Sequence, residues 1–192
     1  MKKLLYIDGC IRNGLSRTKR IAEPIVAALQ TRYEVTTLTL NELPLAIVKE
    51  DLITRRNGGD IDPTVLHWAE MIRDADRIVI AAPFWDMSFP AALKNFLELC
   101  SIFNVTFCSN ETTCCGNCKA EKLLYITTRG MDIKTGDPLE QGTPYLKALS
   151  RLWGIGPMEV VAAENMDYSS EAEIEAKIAR AVEEGLKIAE TF

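Results

Sequence analysis

The sequence predicts an α/β protein built on a doubly wound, five-stranded parallel sheet with helices on both faces, in three layers. Short apolar stretches of strand length alternate with stretches whose apolar residues recur at helical spacing. One stretch, Arg77–Ala82, is apolar after its first residue, as in the centre of a parallel sheet covered on both faces. Because no internal repeat interrupts this alternation, we expect residues 1–192 to form a single domain.

Each strand is predicted from a run of apolar or β-branched residues. The five predicted strands are Leu4–Ile7, Tyr33–Leu40, Arg77–Ala82, Leu123–Thr127 and Pro157–Ala162. The segment Asn41–Ile61 contains turn residues and predicts a long surface loop with one helical turn. Residues 104–122 are polar and rich in cysteine, which predicts an excursion from the sheet.

Each helix is predicted from its first residues and its apolar face. Asp62 precedes Pro63, which suits a first helical position, and Ser170 with Glu173 makes a capping box. The predicted helices begin at Ser16–Arg17, Asp62–Pro63, Pro90, Pro144 and Ser170.

Three unusual loops are predicted to meet at one edge of the sheet. They are Asp8–Thr18, Pro83–Phe89 and Thr128–Met131, and each follows a predicted strand. Ligands bind doubly wound sheets beyond the carboxyl ends of the strands, where the winding reverses. The sequence therefore predicts a ligand site between these loops.

The first loop predicts an anion site. The hydroxyl residues Ser16 and Thr18 stand where a helix begins, and the first amides of a helix lack partners. Basic residues crowd the same place, where the helix dipole disfavours cations: Arg12, Arg17, Lys19 and Arg20. The loop matches neither the dinucleotide fingerprint nor a P-loop, so it suits the terminal phosphate of a mononucleotide. The alternative is an ordinary serine cap beside solvated basic residues.

The second loop concentrates aromatic residues immediately after a central strand. Residues 83–90 read PFWDMSFP, with Phe84, Trp85 and Phe89 among them. Large apolar groups on a loop need a partner, and a flat aromatic cofactor would provide one by stacking. The alternative is that these side chains fill a small satellite core or a subunit interface.

Composition excludes several other classes of function. The net charge of −5 argues against nucleic-acid binding, which favours a basic surface. The longest apolar run, Ile78–Trp85, is too short to span a membrane, and the run after the first lysines stops at Asp8. We therefore expect a cytoplasmic protein with reduced cysteines. The only histidine, His67, lies on a predicted helix surface, so no Ser-His-Asp triad is expected.

Three segments resemble the FMN-binding segments of the flavodoxin-like NAD(P)H dehydrogenase (quinone) family. They are Ser16-Arg17-Thr18 after Gly9-Cys10, PFWDMSFPAALKNFLE from Pro83 to Glu98, and ITTRGM from Ile126 to Met131. The chain is most similar to the FMN-dependent NADH-azoreductases.

This resemblance implies a flavodoxin-like fold, an FMN cofactor and ping-pong hydride transfer. NADH or NADPH would be the donor and a quinone or azo compound the acceptor, with no catalytic side chain because the flavin carries the chemistry. It also implies a homodimer with the active site at the subunit interface. A non-enzymatic, flavodoxin-type electron carrier is the alternative.

The resemblance assigns cofactor-binding residues by position. The phosphate would be surrounded by Cys10, Ser16, Arg17 and Thr18. The isoalloxazine would be lined by Pro83, Phe84, Trp85, Asp86 and Met87, and its pyrimidine edge held by Thr128, Arg129, Gly130 and Met131. Asp86 stands where the family commonly has Asn, so either its carboxylate lowers the flavin potential or it points into water.

Four cysteines in the polar excursion leave three functional interpretations. Cys115-Gly116-Asn117-Cys118 is a C-x-x-C motif, which Cys108 and either Cys114 or Cys115 would complete as a tetrahedral zinc site. A redox-active dithiol near the flavin is the second interpretation. The third, which we favour, is that the thiols are idle and no metal is bound.

Overall fold

The computed structural model describes the backbone of residues 1–192 and every side chain except that of Asn13. The strands are β1 (Lys2–Asp8), β2 (Tyr33–Thr39), β3 (Arg77–Ala81), β4 (Phe107–Ser109), β5 (Cys114–Gly116), β6 (Lys122–Thr128) and β7 (Met158–Ala163). The helices are α1 (Arg17–Leu29), α2 (Glu50–Asn57), α3 (Pro63–Asp74), α4 (Ala91–Cys100), α5 (Gly142–Trp153) and α6 (Glu171–Thr191).

The main sheet has the strand order β2-β1-β3-β6-β7, and all four pairings are parallel. The prediction of a doubly wound, five-stranded parallel sheet is therefore confirmed. The chain builds outward from β1 to β2 and then returns to β3 on the other side of β1. The winding thus reverses between β1 and β3, which opens a crevice beyond their carboxyl ends.

Each face of the sheet carries its own apolar core. On one face, α3, α4 and α5 contribute Trp68, Phe96 and Trp153, all at most 5% exposed. On the other face, α1 and α6 contribute Ile25 and Ile178. Burial of such side chains stabilises the fold by about 1.5–3 kcal/mol each. Even the 21-residue α6 is amphipathic, and no helix in the described chain is long and apolar enough to cross a membrane.

Helix α2 is longer than the single turn expected within residues 41–61. It spans eight residues and buries none of them, so the apolar periodicity that reveals other helices is absent. Glu50 and Asp51 lie in its first turn, and Arg55 and Arg56 in its last, which complements the helix dipole. The order of acidic residues followed by basic residues was therefore the feature of the sequence that could have revealed this helix.

The excursion at residues 104–122 folds as a small antiparallel hairpin, β4–β5, that the sequence analysis did not predict. It follows the carboxyl end of α4 and precedes the amino end of β6. The hairpin therefore lies at the amino edge of the sheet, opposite the three loops that follow the strands. This position separates the cysteines from the edge at which the sequence predicts the ligand site, which disfavours a redox dithiol beside a cofactor bound there.

Candidate functional site

A cavity of about 130 Å³ lies beyond the carboxyl ends of the strands, beside the point where the winding reverses. The predicted residues in its wall are Ser16, Arg17, Thr18, Pro83, Phe84, Trp85, Thr128 and Gly130. Four further residues complete it, namely Arg12, Leu15, Met166 and Asp167. The structure thus brings parts of all three predicted loops to one cavity, together with a fourth loop.

The start of α1 forms a cationic cradle in this cavity. The Ser16 hydroxyl caps the helix by accepting a hydrogen bond from the Lys19 amide at 3.2 Å. This cap uses one of the first-turn amides, and those of Arg17 and Thr18 precede any intrahelical acceptor. Arg12 and Arg17 also line the cavity, with Arg17 paired to the Asp167 carboxylate, so the amides of the first turn and Arg12 make this end favour an anionic group.

Two of the four basic residues near α1 are engaged elsewhere. Lys19 turns to the buried carboxylate of Asp8 at 2.8 Å, and this hydrogen bond raises the pKa of Lys19. Arg20 pairs with Glu175 of α6 at 2.6 Å. The basic cluster seen in the sequence therefore divides between the cavity and two structural ion pairs.

Thr128 links the first and second loops at the cavity floor. Its hydroxyl shares a hydrogen bond of 2.7 Å with the hydroxyl of Thr18, and its carbonyl accepts from the Phe84 amide at 2.9 Å. Both threonines are buried. Direct hydrogen bonds through Thr128 thus fix the position of the anion cradle relative to the aromatic loop.

The aromatic loop makes a tight turn over the two residues after Trp85. Reciprocal backbone hydrogen bonds join Trp85 and Ser88, while Asp86 and Met87 take φ values of 50° and 64°. Such backbone is costly for most side chains and tolerated best by Asn and Asp. The Gln141 amide donates to the Met87 carbonyl at 2.8 Å and anchors the turn. Asp86 and Met87 consequently lie outside the cavity wall.

The side chain of Arg129 does not point into the cavity, although the resemblance placed this residue at the pyrimidine edge of the flavin. Its side chain is completely buried, 3.3 Å from Glu164, and donates to the carbonyl of Ile133 at 3.2 Å and the hydroxyl of Thr135 at 2.9 Å. It therefore braces the loop after β6. A ligand at this end would meet the backbone of Thr128–Gly130 instead.

Two other predicted residues are also absent from the wall. Cys10 is buried, and its thiol faces the Ala81 carbonyl at 3.6 Å. Burial raises the pKa of Cys10 to about 12, so this thiol is a neutral packing group. Met131 is 40% exposed and lies outside the cavity.

The loop after β7, which the sequence did not mark as part of the site, supplies Met166 and Asp167 to the cavity. Asp167 pairs with Arg17 at 2.7 Å, and a side chain at Gly130 would overlap the Asp167 carboxylate. Gly130 is thus required for this close approach. The order of strands could have indicated this loop, since β7 ends at the same edge of the sheet as the other strands.

An open groove of about 920 Å³ adjoins the cavity on the far side of Trp85. The indole is 44% exposed and belongs to both walls. Asp86 and Lys94 also line the groove, with the Lys94 ammonium 5.2 Å from the centre of the Tyr145 ring. The groove therefore offers aromatic surface with a few charges beside the smaller cavity.

The C-x-x-C motif does not converge on a metal. The Cys118 thiol points inward, 3.6 Å from the Thr106 carbonyl, whereas Cys115 is exposed. Among the described side chains, no three His, Cys, Asp or Glu residues are grouped to hold an ion. The tetrahedral site that would combine all these cysteines is therefore not formed. His67 is exposed on α3, as expected.

Comparison with known proteins places this geometry in a family. The family model described as flavodoxin-like fold matches residues 2–187. The FMN-dependent NADH:quinone oxidoreductase 2 of Clostridium acetobutylicum is 30% identical over 201 residues, covering 100% of both chains. The FMN-dependent NADH:quinone oxidoreductase of Clostridium perfringens is 29% identical over 200 residues, again covering 100% of both.

Solved structures share the same architecture. An azoreductase from Bacillus anthracis str. Sterne superposes with a TM-score of 0.87 at 20% identity, covering 100% of both chains. An FMN-dependent NADH-azoreductase from Bacillus anthracis str. Ames Ancestor, solved in complex with FMN, gives a TM-score of 0.82 at 16% identity. That alignment covers 98% of this chain and 100% of the other. The resemblance inferred from the three sequence segments is confirmed, and the chain belongs to the flavodoxin-like fold family.

Proposed function

We propose that this protein is an FMN-dependent oxidoreductase that takes electrons from NADH or NADPH and passes two of them to a quinone or azo compound. The observation that carries the proposal is one cavity joining a cationic helix start to an exposed indole, at the point where the sheet winding reverses. The names of the relatives, FMN-dependent NADH:quinone oxidoreductases, support the same cofactor and reaction.

The residues of the cavity fit FMN part by part. The first amides of α1, with Arg12, Ser16 and Arg17, would hold the phosphate by charge-assisted hydrogen bonds. Phe84 and Trp85 would contact the ring system. The backbone of Thr128–Gly130 would face its polar edge, since Arg129 is directed away.

When bound, FMN supplies the two-electron hydride chemistry, and the chain's residues bind, orient and exclude water. We propose no nucleophilic side chain. The groove beside Trp85 has room for the donor and the acceptor in turn, which would give ping-pong kinetics. The sequence carries no dinucleotide fingerprint after its first strand, and we therefore propose FMN over FAD.

We propose that the protein acts as a homodimer in the cytoplasm. The half-exposed Trp85 and the open groove next to it would be covered by a second copy, which would complete the substrate site. All six cysteines are unpaired, which suits a reducing compartment.

Flavin binding and direct reduction test the proposal. Protein freed of flavin is titrated with FMN and with FAD, and the FMN complex is then mixed anaerobically with NADH or NADPH in a stopped-flow instrument. We expect micromolar or tighter FMN binding and direct bleaching of the flavin absorbance by a nicotinamide nucleotide. Bleaching only after a separate reductase is added would identify an electron carrier instead, and failure to bind FMN at micromolar concentration would refute the proposed site.

A further inference from the structure

The β4–β5 hairpin separates its cysteines by face. Cys108 lies directly opposite Cys115 across the antiparallel pair, and Cys114 lies opposite Ser109. Because successive side chains of a strand point to opposite faces, Cys114 is on the other side of the hairpin from Cys115. The excursion thus presents one pair of facing thiols rather than a cluster of four.

This pair lies on the outer face of the hairpin. The neighbouring pair, Phe107 and Gly116, belongs to the inner face, since Phe107 packs against the core and Gly116 abuts Gly154 at the end of α5. A side chain at Gly116 would overlap the Gly154 backbone, so the contact is backbone to backbone. Cys108 and Cys115 therefore point outward, and Cys115 is exposed while Cys108 is half-buried.

The hairpin is hydrogen-bonded at both ends. At its tip, the Asn110 side chain accepts hydrogen bonds from the amides of Thr112 at 3.0 Å and Thr113 at 2.9 Å. At its base, the Asn117 amide donates to the Thr106 carbonyl at 3.1 Å. The two facing thiols are consequently pre-organised before any ligand arrives.

The register brings the two thiols within reach of one ion. Ladder bonds join Asn110 with Thr113 and Asn117 with Thr106, so the alternation makes Cys108 and Cys115 a hydrogen-bonded pair. The Cβ atoms of such pairs lie about 4.5–5.5 Å apart, so both sulfurs can bond to one ion placed between them.

We propose that Cys108 and Cys115 form a two-thiolate site for a soft metal ion of the monovalent copper class. Thiolates select soft ions, and no third His, Cys, Asp or Glu joins the pair within the part of the chain that is described. Zinc and iron–sulfur clusters, which need about four ligands, are thereby disfavoured. Binding forms two metal–sulfur bonds and releases two protons, with no change in oxidation state. The site lies at the sheet edge opposite the flavin cavity and is independent of it.

Anaerobic competition with a coloured copper(I) chelator tests the site. The full-length reduced protein is titrated with copper(I) bicinchoninate, and the loss of chelator colour measures transfer. We expect one equivalent to pass to the wild-type protein and to Cys114→Ser, the matched control with an exposed thiol on the other face. Cys108→Ser and Cys115→Ser should each reduce transfer at least tenfold. Circular dichroism of all variants establishes that they are folded.

Two results would overturn the proposal. One is a wild-type protein that removes no copper(I) from the chelator, or a Cys114→Ser variant that loses transfer as completely as Cys108→Ser. The other is full transfer of copper(I) to Cys108→Ser or to Cys115→Ser, which would show that the facing pair does not hold the ion.

Discussion

The hydroxyl oxygens of Thr18 and Thr128 lie 2.7 Å apart and share a hydrogen bond, although 110 positions separate the two residues. Thr18 belongs to the first turn of α1, and Thr128 ends β6. The bond is buried and crosses the crevice between the two halves of the sheet. It makes the anion cradle and the predicted pyrimidine-edge loop one rigid unit.

Removing the hydroxyls of this cradle is expected to weaken FMN binding. Ser16→Ala with Thr18→Ala removes the cap of α1 and frees Thr128, and each lost bond to the phosphate should cost about 1.5–3 kcal/mol. Ser170→Ala is the matched control because Ser170 caps α6 outside the cavity. Both variants should lose stability, but only the first should lose FMN affinity in fluorescence titrations. Unchanged affinity in the double variant would refute the placement of the phosphate.

At Asp86, the backbone is expected to matter more than the carboxylate. Asp86 is exposed at the tip of a turn with φ of 50°, outside the cavity wall. Asp86→Asn should therefore leave FMN affinity and the two-electron flavin potential unchanged. Asp86→Val places a β-branched residue in left-handed backbone and should lower the free energy of unfolding by about 1–2 kcal/mol. A rise in the potential of the Asn variant would instead show that the carboxylate acts on the flavin.

Two arginines near the cavity are expected to have opposite roles. Arg129→Met leaves the buried Glu140 and the partly buried Glu164 without their guanidinium partner and should cost about 3–5 kcal/mol of unfolding free energy. Arg17→Met breaks only an exposed pair with Asp167 and should cost less than about 1 kcal/mol. Arg17→Met should nevertheless weaken FMN binding, because Arg17 lines the cradle. Urea unfolding measures the loss of stability in each variant, and FMN titration measures the loss of affinity. Equal losses of unfolding free energy in the two variants would contradict the structural role given to Arg129.

Asp74 at the end of α3 should contribute stability that depends on pH. Hydrogen bonds from Arg73 at 2.6 Å and Lys119 at 2.8 Å hold the pKa of this carboxyl well below its usual range. Its contribution is therefore present above the unfolded pKa of about 3.9 and is lost as the pH falls toward the lower folded value. Asp74→Asn should lose about 1 kcal/mol or less at pH 7, and this loss should shrink below about pH 4.

The exposed Glu34 of β2 provides the control for this pH dependence. Glu34→Gln removes one carboxylate that is not held between two cations, and it should leave the stability nearly unchanged at both pH values. Urea unfolding of both variants across this range is the measurement. A loss in Asp74→Asn that stays constant with pH would mean that the ion pairs contribute little.

The sequence by itself determined the five strands of the main sheet, most helix starts and the edge where the site lies. These features depend on local physics: apolar runs require burial on both faces, as in β3, and the capping side chains of Asp62 and Ser170 act within one helical turn. The position of the site follows from the order of strands and helices alone. Local patterns are therefore sufficient for the main sheet and its edge, whereas the resemblance to FMN-binding segments provided eight of the residues found in the cavity wall.

Only the tertiary structure decided where individual side chains point. Arg129 follows a strand at the predicted edge, yet its side chain turns away from the cavity because Glu164 and Thr135 offer partners there. Neither partner belongs to a sequence pattern that would have indicated this contact. Cys108 and Cys115 face each other because a hairpin register pairs them, whereas the C-x-x-C spacing had suggested Cys118. Side-chain direction depends on the packing energy of groups brought together by the whole fold, and that energy leaves no periodic trace in the sequence.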